Sequence, residues 1–299
     1  MSIAKNSGQK KTWLNRNKNK NGLKSSLFFS EAGSEHIPII RFPALSQYEE
    51  ILHFITTRHG GYSEKPFQSF NLATHVGDRE ENVLKNRVRL ARSLDIAVEK
   101  FFYTSQEHGS RVFLINDEIV FQNSNSISGT IPVSDALITD CKGICLLIFV
   151  ADCVPVLLFD CRKKVIGLVH AGWKGTVSLI SRKTVQLMQS RYGCRVQDII
   201  CAIGPSIGPC CYEVGNEVIN KVRECFPEGL KLIHSQENNN KYFFNLWQAN
   251  KIQLLSCGIF EEHIETASMC TSCHSDLFFS SRKEHKLTGR FAAGIMLKK

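Results

Sequence analysis

The sequence contains no hydrophobic run long enough to cross a membrane as a helix. Its longest uninterrupted apolar segment, residues 144–151, has the length of a strand, whereas a membrane helix needs roughly 18 residues or more. Residues 1–22 also lack the apolar stretch of a secretory signal. We therefore expect a soluble, cytoplasmic protein that has no membrane partner.

Acidic residues are absent from the first 30 positions, which carry seven Lys and Arg side chains. Subtracting these seven from the net charge of +9 leaves +2 for residues 31–299. A near-neutral remainder offers no basic surface for nucleic acid, so we expect no nucleic-acid partner beyond weak contacts of the arm. We predict a disordered basic N-terminal arm over residues 1–30 and a single domain over residues 31–299.

The sequence also lacks a dinucleotide-binding glycine fingerprint, a P-loop, an internal repeat and a Pro- or Ser-rich linker. No segment therefore divides the chain beyond the arm, and one compact mixed α/β domain is the simplest prediction. The chain has twelve cysteines. Without an export signal they are expected to be reduced, and most of them to be small buried hydrophobes.

Apolar periodicity predicts the main helices and strands. A capping box, with Asp78 at the N-cap and Glu81 at N3, precedes a run of helical spacing. A second helix is predicted from Thr176, as N-cap, to Tyr192, with Gly193 ending it. The other predicted elements are helices at 215–225 and 246–257 and strands at 51–57, 144–150, 154–159, 165–169 and 199–203. Structure is expected to begin with the apolar run at 37–42, which Pro38 interrupts.

Two chemically reactive residues flank a predicted hairpin. Cys153 precedes the strand at 154–159, and His170 follows the strand at 165–169. If a simple turn lies near residues 162–163, paired positions sum to about 325, so His170 faces Pro155 and Cys153 faces Gly172. The two side chains then lie within diagonal reach, roughly 7–8 Å between Cβ atoms. His108, in a Gln-Glu-His-Gly turn, is a candidate third group.

Two histidines and one cysteine form a ligand set suited to zinc, with copper as a second possibility. Three protein ligands leave a fourth position open, as in catalytic rather than structural zinc sites. Spacing alone also allows a Cys153–His170 nucleophile and base pair, or purely structural roles for these residues.

A Cys-Thr-Ser-Cys-His run at residues 270–274 has the spacing of a zinc or redox motif. No second CxxC completes a four-cysteine site, so structural thiols are the prediction. The adjacent pair Cys210 and Cys211, in a loop rich in Gly and Pro, is also expected to be structural, or at most to line the site.

From residue 52 to the end, the sequence resembles the multicopper-laccase-like purine nucleoside phosphorylase family, also called the peptidoglycan editing factor family. The matching motifs keep the family's order. They are TTRHGGYSEKPFQSFNLATHVGD at 56–78, QEHG at 106–109, SDALITD at 134–140, ADCVPVLLFD at 151–160, HAGWKGT at 170–176, AIGPSIGPCCYEVG at 202–215 and FFSSRKEHKLTGRFAAGIML at 278–297.

The resemblance implies a single α/β (α+β) domain with mixed β-sheets packed between α-helices. It also implies that His108, Cys153 and His170 are the catalytic and metal-binding residues, with Zn²⁺ or Cu²⁺ as the cofactor. The implied activity is phosphorolysis of adenosine, inosine and 5′-methylthioadenosine, with adenosine deamination as a side activity. Purine nucleosides and phosphate are then the partners, and Arg58, Asn71, His75 and Lys174 are candidates for contacting them.

The sequence departs from the family pattern at a few positions, with Lys174 in place of a common Arg and Ser134 in place of a common Asp. These departures affect the expected substrate contacts rather than the metal ligands. Two other functions stay open. One is a cysteine or metal hydrolase that edits muramyl-peptide precursors of peptidoglycan, and the other is a binding protein recruited to nucleic acid by its basic arm.

Overall fold

The computed structural model describes residues 28–33, 35–123, 131–226, 229–236 and 241–299. In this part of the chain the strands are β1 (Phe28–Ala32), β2 (Ile37–Arg41), β3 (Ile51–Thr56), β4 (Phe101–Phe102), β5 (Val112–Ile115), β6 (Ala136–Thr139), β7 (Cys145–Val150), β8 (Val154–Asp160), β9 (Val165–Ala171), β10 (Ile199–Ile203), β11 (Glu213–Val214), β12 (Ile233–Gln236), β13 (Lys241–Phe244), β14 (Ile264–Thr266) and β15 (Phe291–Leu297).

The helices of the same residues are α1 (Pro43–Ser46), α2 (Glu80–Ser93), α3 (Asp117–Gln122), α4 (Trp173–Val177), α5 (Ile180–Tyr192), α6 (Asn216–Cys225) and α7 (Leu246–Ser256). Short 3₁₀ turns lie at Val98–Lys100, Val196–Asp198, Gly229–Leu232 and Glu261–His263. No helix among the described residues combines the length and apolar character needed to cross a membrane.

The strands form three sheets. The first has the order β1-β2-β3-β15-β7-β4, the second β14-β10-β8-β9-β6-β5, and the third, smaller one β11-β13-β12. Both six-stranded sheets mix parallel and antiparallel pairs, since β4 is parallel to β7, and β5 is parallel to β6. The predicted single domain of mixed sheets and helices is confirmed.

Three apolar clusters explain how the layers stack. One fills the space between the two large sheets, with side chains of β7 and β15 facing those of β8, β9 and β10. A second covers the other face of the second sheet with helices α4 to α7. A third packs α2 against the outer face of the first sheet. Every residue of β7, β8 and β9 is therefore buried, and each fully buried Leu, Ile or Phe contributes about 1.5–3 kcal/mol.

Three predicted boundaries need correction. Strand β1 begins at Phe28, so the boundary predicted at residue 30 falls inside a strand, and residues 1–27 of the predicted arm lie outside the described residues. Helix α2 begins after Arg79 without a side-chain cap. Asp78 cannot close the predicted capping box because its carboxylate accepts hydrogen bonds from Asn71 Nδ2 and the Arg79 N–H.

The third correction concerns the helix predicted from Thr176 to Tyr192. It is split into α4 and α5, because Leu179 adopts a left-handed backbone (φ 60°) between them. Thr176 lies inside α4 rather than at an N-cap, and its side-chain oxygen accepts a hydrogen bond from Asn250 Nδ2. Gly193 ends α5 with φ 65°, as predicted.

Candidate metal centre

One edge of the second sheet collects the chemically reactive side chains. Strands β8 and β9 pair in the predicted register, with Val154 opposite Ala171 and Pro155 opposite His170. Cys153 therefore lies at the start of β8, beside the end of β9 that carries His170. The adjoining strands β6 and β5 begin at this same edge, because β6 runs antiparallel to β9 and parallel to β5.

His108, Cys153 and His170 converge there, as the sequence predicts. Their ligand atoms all lie within 4.8 Å of one another. The two imidazole rings have centroids 4.9 Å apart and meet edge to face at 75°. Since the three atoms could contact one ion without backbone movement, the donor set fits a divalent metal with two nitrogen ligands and one sulfur ligand.

Asp135, which sequence reasoning missed, organises this edge. Its Oδ1 accepts hydrogen bonds from His170 Nδ1 at 2.8 Å and from the His108 N–H at 2.9 Å, while Oδ2 accepts the Gly109 N–H at 2.7 Å. The bond to Nδ1 orients the His170 ring, so that Nε2 is the nitrogen that a metal could bind. The signal in the sequence was its position directly after Ser134, where the chain departs from the family pattern.

Backbone geometry also places the ligands. His108 has φ 62°, and Asp152, the residue before Cys153, has φ 86°. Such left-handed conformations are disfavoured for residues other than glycine and persist where surrounding bonds hold them. The Asp135 carboxylate holds the first. Asp152 is held by Thr271 Oγ1 and the Arg282 N–H, which both donate to its carboxylate at 2.6 Å.

Gly172 lets the chain pass close to two ligands. A Cβ at this position would lie 3.1 Å from His108 Cδ2 and 3.2 Å from Cys153 Sγ. Its φ of −69° is open to any residue, so close approach rather than backbone conformation favours glycine here.

The electrostatics of the centre favour a charged Cys153–His170 pair. Burial opposes ionisation of the Cys153 thiol, but the His170 charge and hydrogen bonds to both histidines outweigh it and lower the pKa of the thiol. Burial likewise opposes protonation of His170, but the Cys153 charge and the Asp135 hydrogen bond raise the pKa of that imidazole. A thiolate is the form of cysteine that binds metals and attacks electrophiles.

A cavity of about 720 Å³ opens over the three residues. Aromatic and aliphatic side chains, including Phe149, Ile207 and Tyr212, form its apolar walls. Its cationic side chains are Arg282, Lys286 and Arg290, and the histidines at 75 and 285 also line it. The cavity thus offers apolar surface to a flat ring and positive charge to an anion.

The structure brings one of the four candidate substrate contacts to this cavity, namely His75. Arg58 instead pairs with Glu284 at 3.0 Å and donates to the Ser275 carbonyl. Asn71 is fully buried outside the cavity lining, and it bonds Asp78 and the Arg290 N–H. Lys174 is exposed in α4, with Nζ 5.7 Å from the centroid of the Trp173 ring.

Sequence reasoning also missed a second cluster. The thiols of Cys210, Cys211, Cys270 and Cys273 all lie within 4.8 Å of one another. The sequence has no second CxxC, but in the structure the adjacent pair at 210–211 supplies the two further thiols.

Comparison with known proteins agrees with this geometry. Residues 52–298 match the family model described as "Multi-copper polyphenol oxidoreductase laccase". The chain belongs to this family. A Bacteroides thetaiotaomicron relative named "Purine nucleoside phosphorylase" is 36% identical over 87% of this chain and 97% of its own length. A relative named "Adenosine deaminase RL5", from an unknown prokaryotic organism, is 31% identical over 84% of this chain and 95% of its own length.

A solved structure of the same laccase-like family has the same fold. The crystal structure of YlmD from Geobacillus stearothermophilus superposes with a TM-score of 0.82 and 34% sequence identity, covering 90% of this chain and 100% of that chain. The family assignment predicted from the motifs is confirmed.

Proposed function

We propose that this protein is a zinc-dependent purine nucleoside phosphorylase with adenosine deaminase side activity. Its proposed substrates are adenosine, inosine and 5′-methylthioadenosine, which would yield the free base and ribose 1-phosphate or methylthioribose 1-phosphate. The observation that carries the proposal is the union of the His/Cys/His centre with a cavity that has both apolar walls and cationic side chains.

The cavity walls suit the two parts of the reaction. Phe149 and Tyr212 provide apolar surface for the flat purine. Arg282 and Arg290 provide guanidinium groups, which suit phosphate oxygens. Positioned cations of this kind stabilise negative charge as it develops on the transferred group.

The three ligands and Asp135 suit zinc, with copper as a second possibility. A bound zinc ion would supply a Lewis acid next to the substrate. Asp135 would keep His170 in one orientation through its hydrogen bond to Nδ1. The proposed phosphorylase chemistry needs no electron transfer, in contrast to a laccase, which requires additional histidine-rich copper sites.

Product analysis by chromatography tests the proposal. Zinc-loaded protein is incubated with adenosine or inosine, with and without phosphate, beside His170→Ala. The matched control is His234→Ala, an exposed histidine of β12 away from the cavity. We expect free base and ribose 1-phosphate only when phosphate and His170 are both present. Equal turnover by His170→Ala, or none by folded, zinc-loaded wild type, would contradict the proposal.

The paired Cys153 and His170 also favour a second candidate, a cysteine hydrolase acting on muramyl-peptide precursors. A thiolate next to an imidazolium is the arrangement of a nucleophile and its base. Chelation separates the two functions, because it should stop a zinc phosphorylase and spare a metal-free amidase. The position of His108 beside the same sulfur favours the metal reading.

A further inference from the structure

The four-cysteine cluster joins two segments that are distant in the sequence. Cys210 and Cys211 lie in the loop between β10 and β11, and Cys270 and Cys273 lie in the turns after β14. The clustered thiols are outside the catalytic cavity, since none of them lines it. They therefore need an explanation separate from the reaction proposed above.

The spacing of the sulfur atoms fits one tetrahedral ion. Cys273 Sγ lies 3.4 Å from Cys211 Sγ and 3.6 Å from Cys210 Sγ, and all four ligand atoms fall within 4.8 Å. A zinc–sulfur bond of about 2.3 Å gives a tetrahedron with edges of about 3.8 Å. Disulfide bonds would require about 2.05 Å, and an iron–sulfur cluster would need its thiolates farther apart to hold several irons.

The backbone around the cluster is already fixed. Ser206 donates its N–H to the Met269 carbonyl, and Thr271 donates its N–H to the Ser206 carbonyl, so the two segments are bonded next to Cys270. The Gly208 N–H donates to Cys270 Sγ at 3.2 Å, a bond that stabilises negative charge on sulfur. The thiols thus converge through ordinary backbone hydrogen bonds rather than by chance contact of mobile side chains.

Four thiols within 4.8 Å of one another form a ligand set for a single cation. A divalent cation favours the thiolate form, because each thiol loses its proton as it binds. Tetrahedral sulfur sites select zinc or iron among the common metals, and zinc sites with four protein ligands are structural rather than catalytic.

We propose that Cys210, Cys211, Cys270 and Cys273 bind a structural zinc ion. The site is separate from the His108/Cys153/His170 centre and joins the loop after β10 to the segment after β14. These two segments carry cavity walls, because Ile207 and Tyr212 flank the first cysteine pair and Arg282 follows the second.

The test is zinc content of the full-length chain, purified under reducing conditions with zinc present and measured by plasma mass spectrometry. Wild type should hold two ions, one for each cluster. Cys273→Ser and Cys210→Ser change exposed thiols and should each lose one ion. His170→Ala should lose the other. Cys225→Ser, a half-buried cysteine outside both clusters, is the matched control and should keep both.

Cobalt substitution gives a second readout that is independent of activity. Cobalt-loaded His170→Ala should keep the intense sulfur-to-metal charge-transfer absorption of a tetrathiolate site, and adding Cys273→Ser should remove it. Circular dichroism checks that the variants are folded. The proposal is wrong if folded Cys210→Ser and Cys273→Ser both retain wild-type zinc, if the cluster contains iron, or if intact mass shows a disulfide among these cysteines instead of zinc.

Discussion

At the scale of single residues, Asp135 holds two of the three proposed metal ligands in place. One carboxylate accepts the Nδ1 proton of one histidine ligand and the backbone N–H of the other. Partners of this kind typically account for 10–100-fold in metal affinity or activity. Asp135→Asn keeps the size of the side chain but turns one acceptor into a donor, so we expect turnover and zinc affinity to fall by about 10–100-fold.

Zinc titration and nucleoside turnover measure this effect. Asp140→Asn is the matched control, since Asp140 is an exposed carboxylate at the other end of β6 and should behave as wild type. Unchanged zinc affinity and turnover in Asp135→Asn would show that His170 does not depend on this hydrogen bond.

Gly172 offers a steric test of the same centre. A methyl group there would meet His108 Cδ2 and Cys153 Sγ at 3.1–3.2 Å, closer than ordinary van der Waals contact, so the ligands must separate. We expect Gly172→Ala to lower turnover, by less than the roughly 100-fold that a displacement of about 1 Å near reacting groups costs, while the protein stays folded.

Gly215→Ala is the control for that substitution, because a Cβ at Gly215 meets nothing within 4 Å. Turnover and thermal unfolding are measured for both variants. If Gly172→Ala retained the activity of Gly215→Ala, the tight approach would have no role in ligand placement.

At the scale of elements, sequence patterns predicted the features that depend on residues close together in the chain. The β8–β9 register followed from a short polar turn and two apolar runs, and it placed Cys153 and His170 together correctly. The break between α4 and α5 could not be predicted, because tertiary packing holds Leu179 in a left-handed backbone. Asp78 failed as a cap for a similar reason, since Asn71 competes for its carboxylate.

His53 in β3 makes the stability of the folded protein depend on pH. Its Nε2 accepts the Phe42 N–H at 2.9 Å, and burial, with the Arg41 charge, lowers the pKa of His53 to about 4. Between that value and the unfolded pKa of about 6.5, the unfolded chain binds more protons, so stability rises with pH. The contribution is present above about pH 6.5, is lost as pH falls towards 4, and reaches about 3 kcal/mol at most.

In His53→Gln the new side chain can still accept the Phe42 N–H, but it does not titrate. The free energy of unfolding of this variant should therefore fall less between about pH 7 and pH 5 than that of wild type. Denaturant titration at both pH values gives the difference. Other histidines titrate alike in both proteins, so they cancel. Parallel pH profiles would mean that His53 does not titrate on unfolding in this range.

At the scale of the whole molecule, the centre depends on contacts that no single segment reveals. Asp135 bonds His170 directly, whereas Thr271 and Arg282, from a distant part of the chain, hold Asp152 beside Cys153. The cysteine cluster likewise joins pairs about 60 residues apart, so a search for a second CxxC could not find it. The family could be predicted because its motifs, in their order, come from many separate parts of the chain, including the segments that make these contacts.

The basic arm gives a test of whether the folded domain suffices for the reaction. Residues 1–27 carry seven basic side chains and no acid, so deleting them reduces the net charge from +9 to +2. The proposed catalytic residues and the cavity all belong to the domain that follows. We therefore expect kcat/KM for nucleosides to stay within about twofold of the full chain, since screening weakens distant charges at physiological salt.

Unlike nucleoside turnover, binding to duplex DNA should depend on residues 1–27. Lysine and arginine contacts to phosphate release counterions, so any affinity of the full chain should weaken steeply with salt and disappear on deletion. Fluorescence anisotropy at two salt concentrations measures this beside the nucleoside assay. If deletion abolished turnover, the arm would belong to the active protein. If the shortened chain still bound DNA, the near-neutral domain would have a nucleic-acid surface that its charge does not predict.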